Sequence, residues 1–274
     1  MNSSQKIIKN LAIALGIFLT IFIISMIIGG IYLITSVFSI KSDNSIDKEI
    51  NTLWMQNNEN VISLDIDIKF SNLTIKNGDK FLVESNNKNI KYKYNNSSLE
   101  VEEIKYNLFN NSDVGEVIIT IPSNIRLDSV DIDNGAGSLN IESINANKFN
   151  LDLGAGVTVI DNIIVDSADI DSGAGKFIIK FGKINNLDFD MGAGTAEITS
   201  IITGNNEINS GVGNLKLNLI DNIENYKIKI NKGIGKVEMD NKEVSDNKIV
   251  GTGLNFINIS GGIGTIAVNF MESR

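Results

Sequence analysis

The sequence has no cysteine and no histidine, a single proline (Pro122), and only two arginines (Arg126 and Arg274) among its 274 residues. Without cysteine there is no disulfide, no thiol nucleophile and no cysteine for lipoprotein processing. Without histidine the imidazole base is missing as well, and the usual zinc ligands go with the pair. Positive charge is also short: 24 Lys+Arg stand against 33 Asp+Glu, a formal net charge of −9. Nucleic-acid binding needs a basic surface to neutralise phosphates, so that class of partner is set aside.

What is present begins with an apolar run. Leu11–Ile40 carries no charged residue over 30 positions. A bilayer core needs about 20 apolar residues as helix. A cleaved signal peptide has an apolar core of only about 7–15 residues, followed by a small-residue cleavage site that is missing here. The run therefore predicts a transmembrane helix over 11–40, with the lipid bilayer as a partner. Lys6 and Lys9 precede it with no acidic residue beside them. That bias predicts a cytoplasmic tail over 1–10, with the remainder of this single-pass chain outside the cell. The outer part is then the more acidic: 24 − 2 = 22 basic residues against all 33 acidic ones, or −11. Residues 41–60 are polar and are expected to form a linker.

From residue 61 the pattern is that of strands. Ile62, Leu64, Ile66 and Ile68 alternate with Ser63, Asp65, Asp67 and Lys69, the period-two mark of a half-buried strand. Similar runs lie at 81–85, 90–94, 99–104 and 116–121, and 61–134 is expected as an N-terminal β region.

The tripeptide Gly-x-Gly then recurs. Its glycine pairs are Gly135 and Gly137, Gly154 and Gly156, Gly173 and Gly175, Gly192 and Gly194, Gly211 and Gly213, Gly233 and Gly235, and Gly262 and Gly264. The spacings are 19, 19, 19, 19, 22 and 29 residues. A fixed period of this size means a stack of equivalent coils. Apolar residues keep the same register three positions before each first glycine (Ile132, Leu151, Ile170, Phe189, Ile208, Ile230, Ile259) and six after it (Ile141, Ile160, Ile179, Ile198, Leu217, Met239, Val268). Residues 135–270 thus predict an all-β fold, a β-solenoid of about 19–22-residue coils. Each Gly-x-Gly is expected at a tight corner where one or both glycines have positive φ. The middle residue is Ala, Val or Ile, never polar, and is expected to point inward, so that Ala174→Asp would unfold the repeats. The larger residues in the last coils are expected to fill the space of longer coils.

Nucleotide binding finds no support. A dinucleotide loop needs a third glycine and a following helix, and neither is present. Two outward columns invite a different reading. One holds Asp133, Asp152, Asp171 and Asp190, continued by Asn209, Asn231 and Ser260; the other holds Asp131, Asn150, Asp169, Asp188, Glu207, Lys229 and Asn258. The plain reading is a solvated face. The sharper one is a strip that binds a divalent cation, calcium, along Asp133, Asp152, Asp171 and Asp190. It differs from calcium-binding nonapeptide repeats, because here the aspartate precedes the Gly-rich turn. No carboxylate stands apart from the repeat as a catalytic pair would, so neither a catalytic residue nor an organic cofactor is expected and the chain reads as non-enzymatic.

On IKNGDKFLV at 75–83, VIITIPSNIRLDSVDIDNGAGSLNI at 117–141 and the Gly-x-Gly ladder, residues 61–270 resemble the bacterial putative-adhesin family with β-strand repeats. Pro122, at a strand end just before the repeats, fits that family's layout. The resemblance implies a surface β-repeat module and supplies no catalytic residues. The function expected is a membrane-anchored adhesin or envelope scaffold with an unidentified surface ligand. The alternatives are an envelope sensor acting through a membrane partner and, less favoured, a carbohydrate-active enzyme.

Overall fold

The computed structural model describes residues 49–56, 61–104 and 114–271. The expected cytoplasmic tail and membrane helix, 1–10 and 11–40, lie outside them. Among the described residues no helix is long and apolar enough to cross a membrane. Glu49–Arg274 forms one compact unit, and every strand pairing falls within it.

The chain begins with β1 (Asn51–Gln56), β2 (Ser63–Ile68), β3 (Asn72–Gly78), β4 (Phe81–Ser85), β5 (Ile90–Asn95), β6 (Ser98–Glu103) and β7 (Glu116–Pro122). A regular body follows: β8 (Leu127–Ile179), β9 (Gly182–Asn185), β10 (Leu187–Thr203) and β11 (Asn205–Ile220). The chain ends with β12 (Tyr226–Asn231), β13 (Ile234–Met239), β14 (Lys242–Glu243), β15 (Lys248–Val250), β16 (Asn255–Ser260) and β17 (Ile263–Met271).

In the body, residues 19 apart lie side by side in parallel. Ile170 pairs with Phe189 and Phe189 with Ile208, while Phe177 pairs with Ala196 and Ala196 with Leu215. The expected inward columns at −3 and +6 are buried in every repeat. Each coil alone exposes one apolar face; stacking removes it from water at about 1.5–3 kcal/mol per large side chain.

The corners divide the work between the two glycines. Gly175 has φ +138, and a Cβ there would sit 1.9 Å from the Gly156 carbonyl oxygen. Gly173 has no positive φ, but a Cβ on it would sit 2.1 Å from the Gly154 oxygen. The second glycine is therefore needed for conformation and for room, the first for room alone.

The middle residue of the tripeptide faces outward, contrary to expectation. Val212, Ile234 and Ile263 are 50%, 74% and 53% exposed, and Ala174 is half-buried. Period-two alternation runs on past Ile132 and Asp133, so the inward place before the bend falls to Asn134, Met191 or Ser210. The tripeptide then turns with its middle side chain on the convex side.

Both ends depart from sequence order. At the N-terminal end β2 and β3 lie in parallel on β8 (Ile66 opposite Ile132, Leu73 opposite Leu139). Outside them lie β6 and β7 (Val101 opposite Ile66, Val117 opposite Leu73). β5 and β4 run antiparallel on β6 and β7, and β1 runs antiparallel on β4. At the C-terminal end β16 and β17 pair with β11, and β12 and β13 lie outside them. β15 and β14 then run antiparallel on β12 and β13.

Two expectations change as a result. The spacing of 29 residues between Gly233 and Gly262 holds the capping strands β14 and β15 and not a wider coil. Part of the expected 41–60 linker is strand β1, whose Leu53 and Trp54 pack on the core. Strands of 61–134 continue the same stack as those of 135–270, so no seam falls at residue 134.

The N-terminal end also has one corner without glycine. The inner coil has Lys69-Phe70-Ser71 where later coils have Gly-x-Gly, and the Ala136 N–H donates to the Lys69 carbonyl at 2.9 Å. On its other side this corner meets a side chain where a corner of the body meets a backbone carbonyl. That side chain is Glu103. It is only 2% exposed, and its Oε2 accepts from the N–H groups of Lys69, Phe70 and Ser71 at 3.0, 2.9 and 3.1 Å. Its Oε1 accepts from Ser71 Oγ at 3.0 Å and from Asn87 Nδ2 at 2.7 Å.

Candidate binding face

The same alternation that buries Ile132, Ile170 and Phe189 turns the residues on either side of each to solvent. The outward columns are longer than the repeats alone suggest. Asp65 lies between Glu100 and Asp131, and Asp67 between Glu102 and Asp133. In the body Asp169 faces Asp188, which faces Glu207, while Asp171 faces Asp190. The expected metal column Asp133, Asp152, Asp171 and Asp190 is exposed throughout. The repeat reading missed Asp65, Asp67, Glu100 and Glu102, although they carry the same acidic-apolar-acidic triplet: Asp-Ile-Asp at 65–67 matches 131–133 and 169–171, and Glu-Val-Glu stands at 100–102.

Carboxylates directly opposite one another in a sheet repel. Partial burial raises the Asp65 carboxyl above its ordinary value, and Asp131, Glu100, Asp133 and Asp67 raise it further. Burial likewise raises Asp133, and Asp152 adds repulsion together with a shared hydrogen bond. Asp188 is raised first by burial and then by Asp169, Asp190, Glu207 and Asp171. Amides interrupt the columns and relieve them. Asn150 Nδ2 donates to Asp131 Oδ1, and Asn209 Nδ2 donates to Asp190 Oδ1 at 2.8 Å. Lysines stand at the ends: Lys93 pairs with Glu100 at 3.1 Å, and Lys229 takes the column place opposite Asn258.

Calcium wants six to eight oxygen ligands around one point. Among the described residues no three acidic side chains are grouped so as to hold a metal ion. The four column aspartates run in a line along the stack and do not converge, so they do not fit a structural calcium site. What the face offers is a long, repetitive negative potential on a rigid sheet.

The family model described as Toastrack DUF4097 matches residues 44–251. No curated protein matches the chain. Among solved structures, a putative cell adhesion protein of Clostridium sporogenes is similar at 19% identity and a TM-score of 0.38, with 81% of this chain and 98% of that one covered. A putative adhesin of Bacteroides fragilis covers the same shares at 14% identity and a TM-score of 0.38. A putative adhesin of Parabacteroides distasonis does so at 14% identity and a TM-score of 0.33.

Proposed function

The chain belongs to the Toastrack DUF4097 family, and on that footing we propose that it is a non-enzymatic surface module, held at the cell membrane by residues 11–40 and acting outside the cell as an adhesin or envelope scaffold. The observation that carries this reading is the outward double column, in which Asp65, Asp131, Asp169 and Asp188 repeat at one register along the stack. A repeated, rigid, charged surface suits contact with an extended partner, whereas catalysis needs one set of groups that differs from all others. The uncharged run Leu11–Ile40 and the lysines before it support the anchored, outward orientation.

Two measurements test the parts separately. Full-length chain should stay with membranes after a carbonate wash, and protease added to wall-stripped cells should cut the repeat region. Complete protection would reject the outward orientation. Immobilised 41–274 fragment should retain an envelope component, and reversing Asp131, Asp133, Asp169 and Asp171 to lysine should abolish retention. Release of a new product from purified wall glycans would reject the non-enzymatic reading.

A further inference from the structure

The middle residue of the Gly-x-Gly corner changes along the stack. In the body it is small: Ala136, Ala155, Ala174 and Ala193. In the last three coils it is Val212, Ile263 and Ile234, in that spatial order, because β16 and β17 fill the place between β11 and the strands β12 and β13. Val212 stands opposite Ile263 and Ile263 opposite Ile234, each at least half exposed. The bend carries these β-branched side chains on its convex side, between glycines that have no side chain to cover them. Apolar residues exposed singly need no explanation, but a contiguous row rimmed by polar residues marks an interaction surface.

The residues beside the ridge say what covers it. Along one flank the three coils present Glu207, Asn258 and Lys229, and along the other Lys216, Ala267 and Glu238. Each flank has opposite charges on its outer coils and a neutral residue on the middle one. A two-fold axis across the ridge at Ile263 lays a second copy on the first with the stacks antiparallel. Val212 then meets Ile234, and Ile263 meets its own copy. The same rotation sets Glu207 against Lys229 and Lys216 against Glu238, each pair occurring twice. The flanks fall away from the bend, and the side chains there are the long ones, able to reach across. Such a self-complementary patch is what an isologous contact requires. An unrelated partner imposes no inverted order of charge on both flanks.

We propose that the C-terminal corner ridge is a contact between two copies of this chain, with Val212, Ile263 and Ile234 packed antiparallel about a two-fold axis and the Glu207–Lys229 and Lys216–Glu238 pairs at its rim. Three coils cover about 14 Å along the stack and ten residues about 30 Å across it. That is roughly 400 Å² per copy, about half of a standard interface, so the dimer is weak and reversible. The inference goes beyond the adhesin reading and does not depend on residues 11–40.

The 41–274 fragment contains every described strand. Its mass is followed by sedimentation equilibrium from about 10 μM to about 1 mM, where weak contacts form. The apparent mass should rise toward twice that of one chain. Ile263→Lys sets two ammonium groups against each other on the axis and should abolish the rise. Ile234→Ala puts in place the residue that four body corners carry, and should weaken association about tenfold. Lys229→Glu faces the partner's Glu207 and should weaken it too, while Lys229→Glu with Glu207→Lys should restore it. The urea midpoint at the lowest concentration should stay in place in every variant. A fragment that remains single over the whole range overturns the contact. Association that survives both Ile263→Lys and Ile234→Ala places the contact elsewhere and overturns it as well. Association lost in Lys229→Glu and not regained on the double exchange overturns the antiparallel register and the proposal with it.

Discussion

At the N-terminal end the chain lays down β2 and β3, builds β4 and β5, and only then adds β6 and β7 outside the strands it started with. At the C-terminal end it leaves β11, skips one coil's width to build β12 and β13, adds the hairpin strands β14 and β15, and returns with β16 and β17 to fill the gap. Traced outward from the body, the two ends are the same manoeuvre. In both, antiparallel strands finish the sheet, which blunts the open edge that a parallel stack would otherwise present. The corners differ. The C-terminal coils keep Gly-x-Gly, and the last one receives a side-chain cap in which the Lys232 N–H donates to Asp246 Oδ1 at 2.6 Å. At the N-terminal end the corner Lys69-Phe70-Ser71 has no glycine, and the buried Glu103 caps its N–H groups. A corner is thus a ladder of N–H and carbonyl groups that must be terminated, and the cost of removing the terminator follows how far it is from water.

The largest effect expected from this contrast is at Glu103. Glu103→Ala removes the acceptor of three backbone N–H groups, that of Ser71 fully buried and those of Lys69 and Phe70 partly so, and an unsatisfied buried group costs about 1–3 kcal/mol. The 41–274 fragment should lose at least about 3 kcal/mol in urea unfolding, and Glu103→Gln, which keeps one acceptor oxygen, should recover part of it. A midpoint unchanged by Glu103→Ala would show that the corner needs no terminator.

The second contrast lies within one corner. Gly175→Ala forces a Cβ toward the Gly156 oxygen at positive φ, whereas Ala174→Asp places its carboxylate on the convex side. The first should cost roughly 2–3 kcal/mol of backbone strain, the second no more than about 0.5 kcal/mol, as for other surface changes. If the aspartate proves the more damaging, the middle residue points inward after all.

That pair of residues also marks how far the sequence could be read. The 19-residue period placed the Ile132, Leu151 and Ile170 column and the Asp133 and Asp152 column on their correct sides, because alternation along a strand is a local property. The direction of Ala174 was not local. An apolar residue between two glycines is compatible with either side of a bend, and the bend's sense comes from the neighbouring coil. The order of the ends was hidden for the same reason. Spacings of 22 and 29 residues record extra chain without saying whether it widens a coil or caps one. Glu103 reads as one more acidic residue of Glu-Val-Glu-Glu until its carboxylate is seen to cap the corner at Lys69-Phe70-Ser71. The acidic face was half legible: its body came from the repeat, and its extension to Asp65, Asp67, Glu100 and Glu102 required knowing that β2 stacks on β8 and β6 on β2.

A smaller effect is expected at the other cap. Asp246 is exposed, so water replaces it when Asp246→Ala removes the acceptor for Lys232. The loss should be roughly 0.5 kcal/mol, near the low end for a single hydrogen bond. A loss as large as that of Glu103→Ala would erase the distinction between the two ends.

The smallest expected effect concerns charge, which is also divided unevenly between the ends. Near the N-terminal end carboxylates face carboxylates, as Asp65 does Glu100 and Asp131; near the C-terminal end Asn258 faces Lys229. Asp65, Asp133 and Asp188 have carboxyls raised in the folded state above the ordinary 3.8, by burial and then by their neighbours. Between the ordinary value and the raised one, the folded chain therefore holds more protons than the unfolded chain. Linkage then makes stability increase as pH falls through that window, and the full cost of the repulsion is present at pH 7. Glu197 has the opposite sign: the hydrogen bond from Lys216 lowers its carboxyl, so its contribution is present at neutral pH and fades as pH falls through the folded value. With three raised groups against one lowered, the urea midpoint of the 41–274 fragment should rise slightly as pH falls from 7 toward the ordinary carboxyl value. Asp133→Asn should raise the midpoint at pH 7 and flatten that rise. Asn258→Asp, placed beside Lys229, should leave the pH dependence nearly unchanged. Added sodium chloride should mimic Asp133→Asn, because screening acts on exposed columns. Calcium at the same ionic strength should do no more than sodium, since the column offers it no enclosed set of ligands. A midpoint that falls as pH is lowered through that window, or a calcium gain absent with sodium, would mean that the columns are held by bound cations and are not an open, self-repelling face.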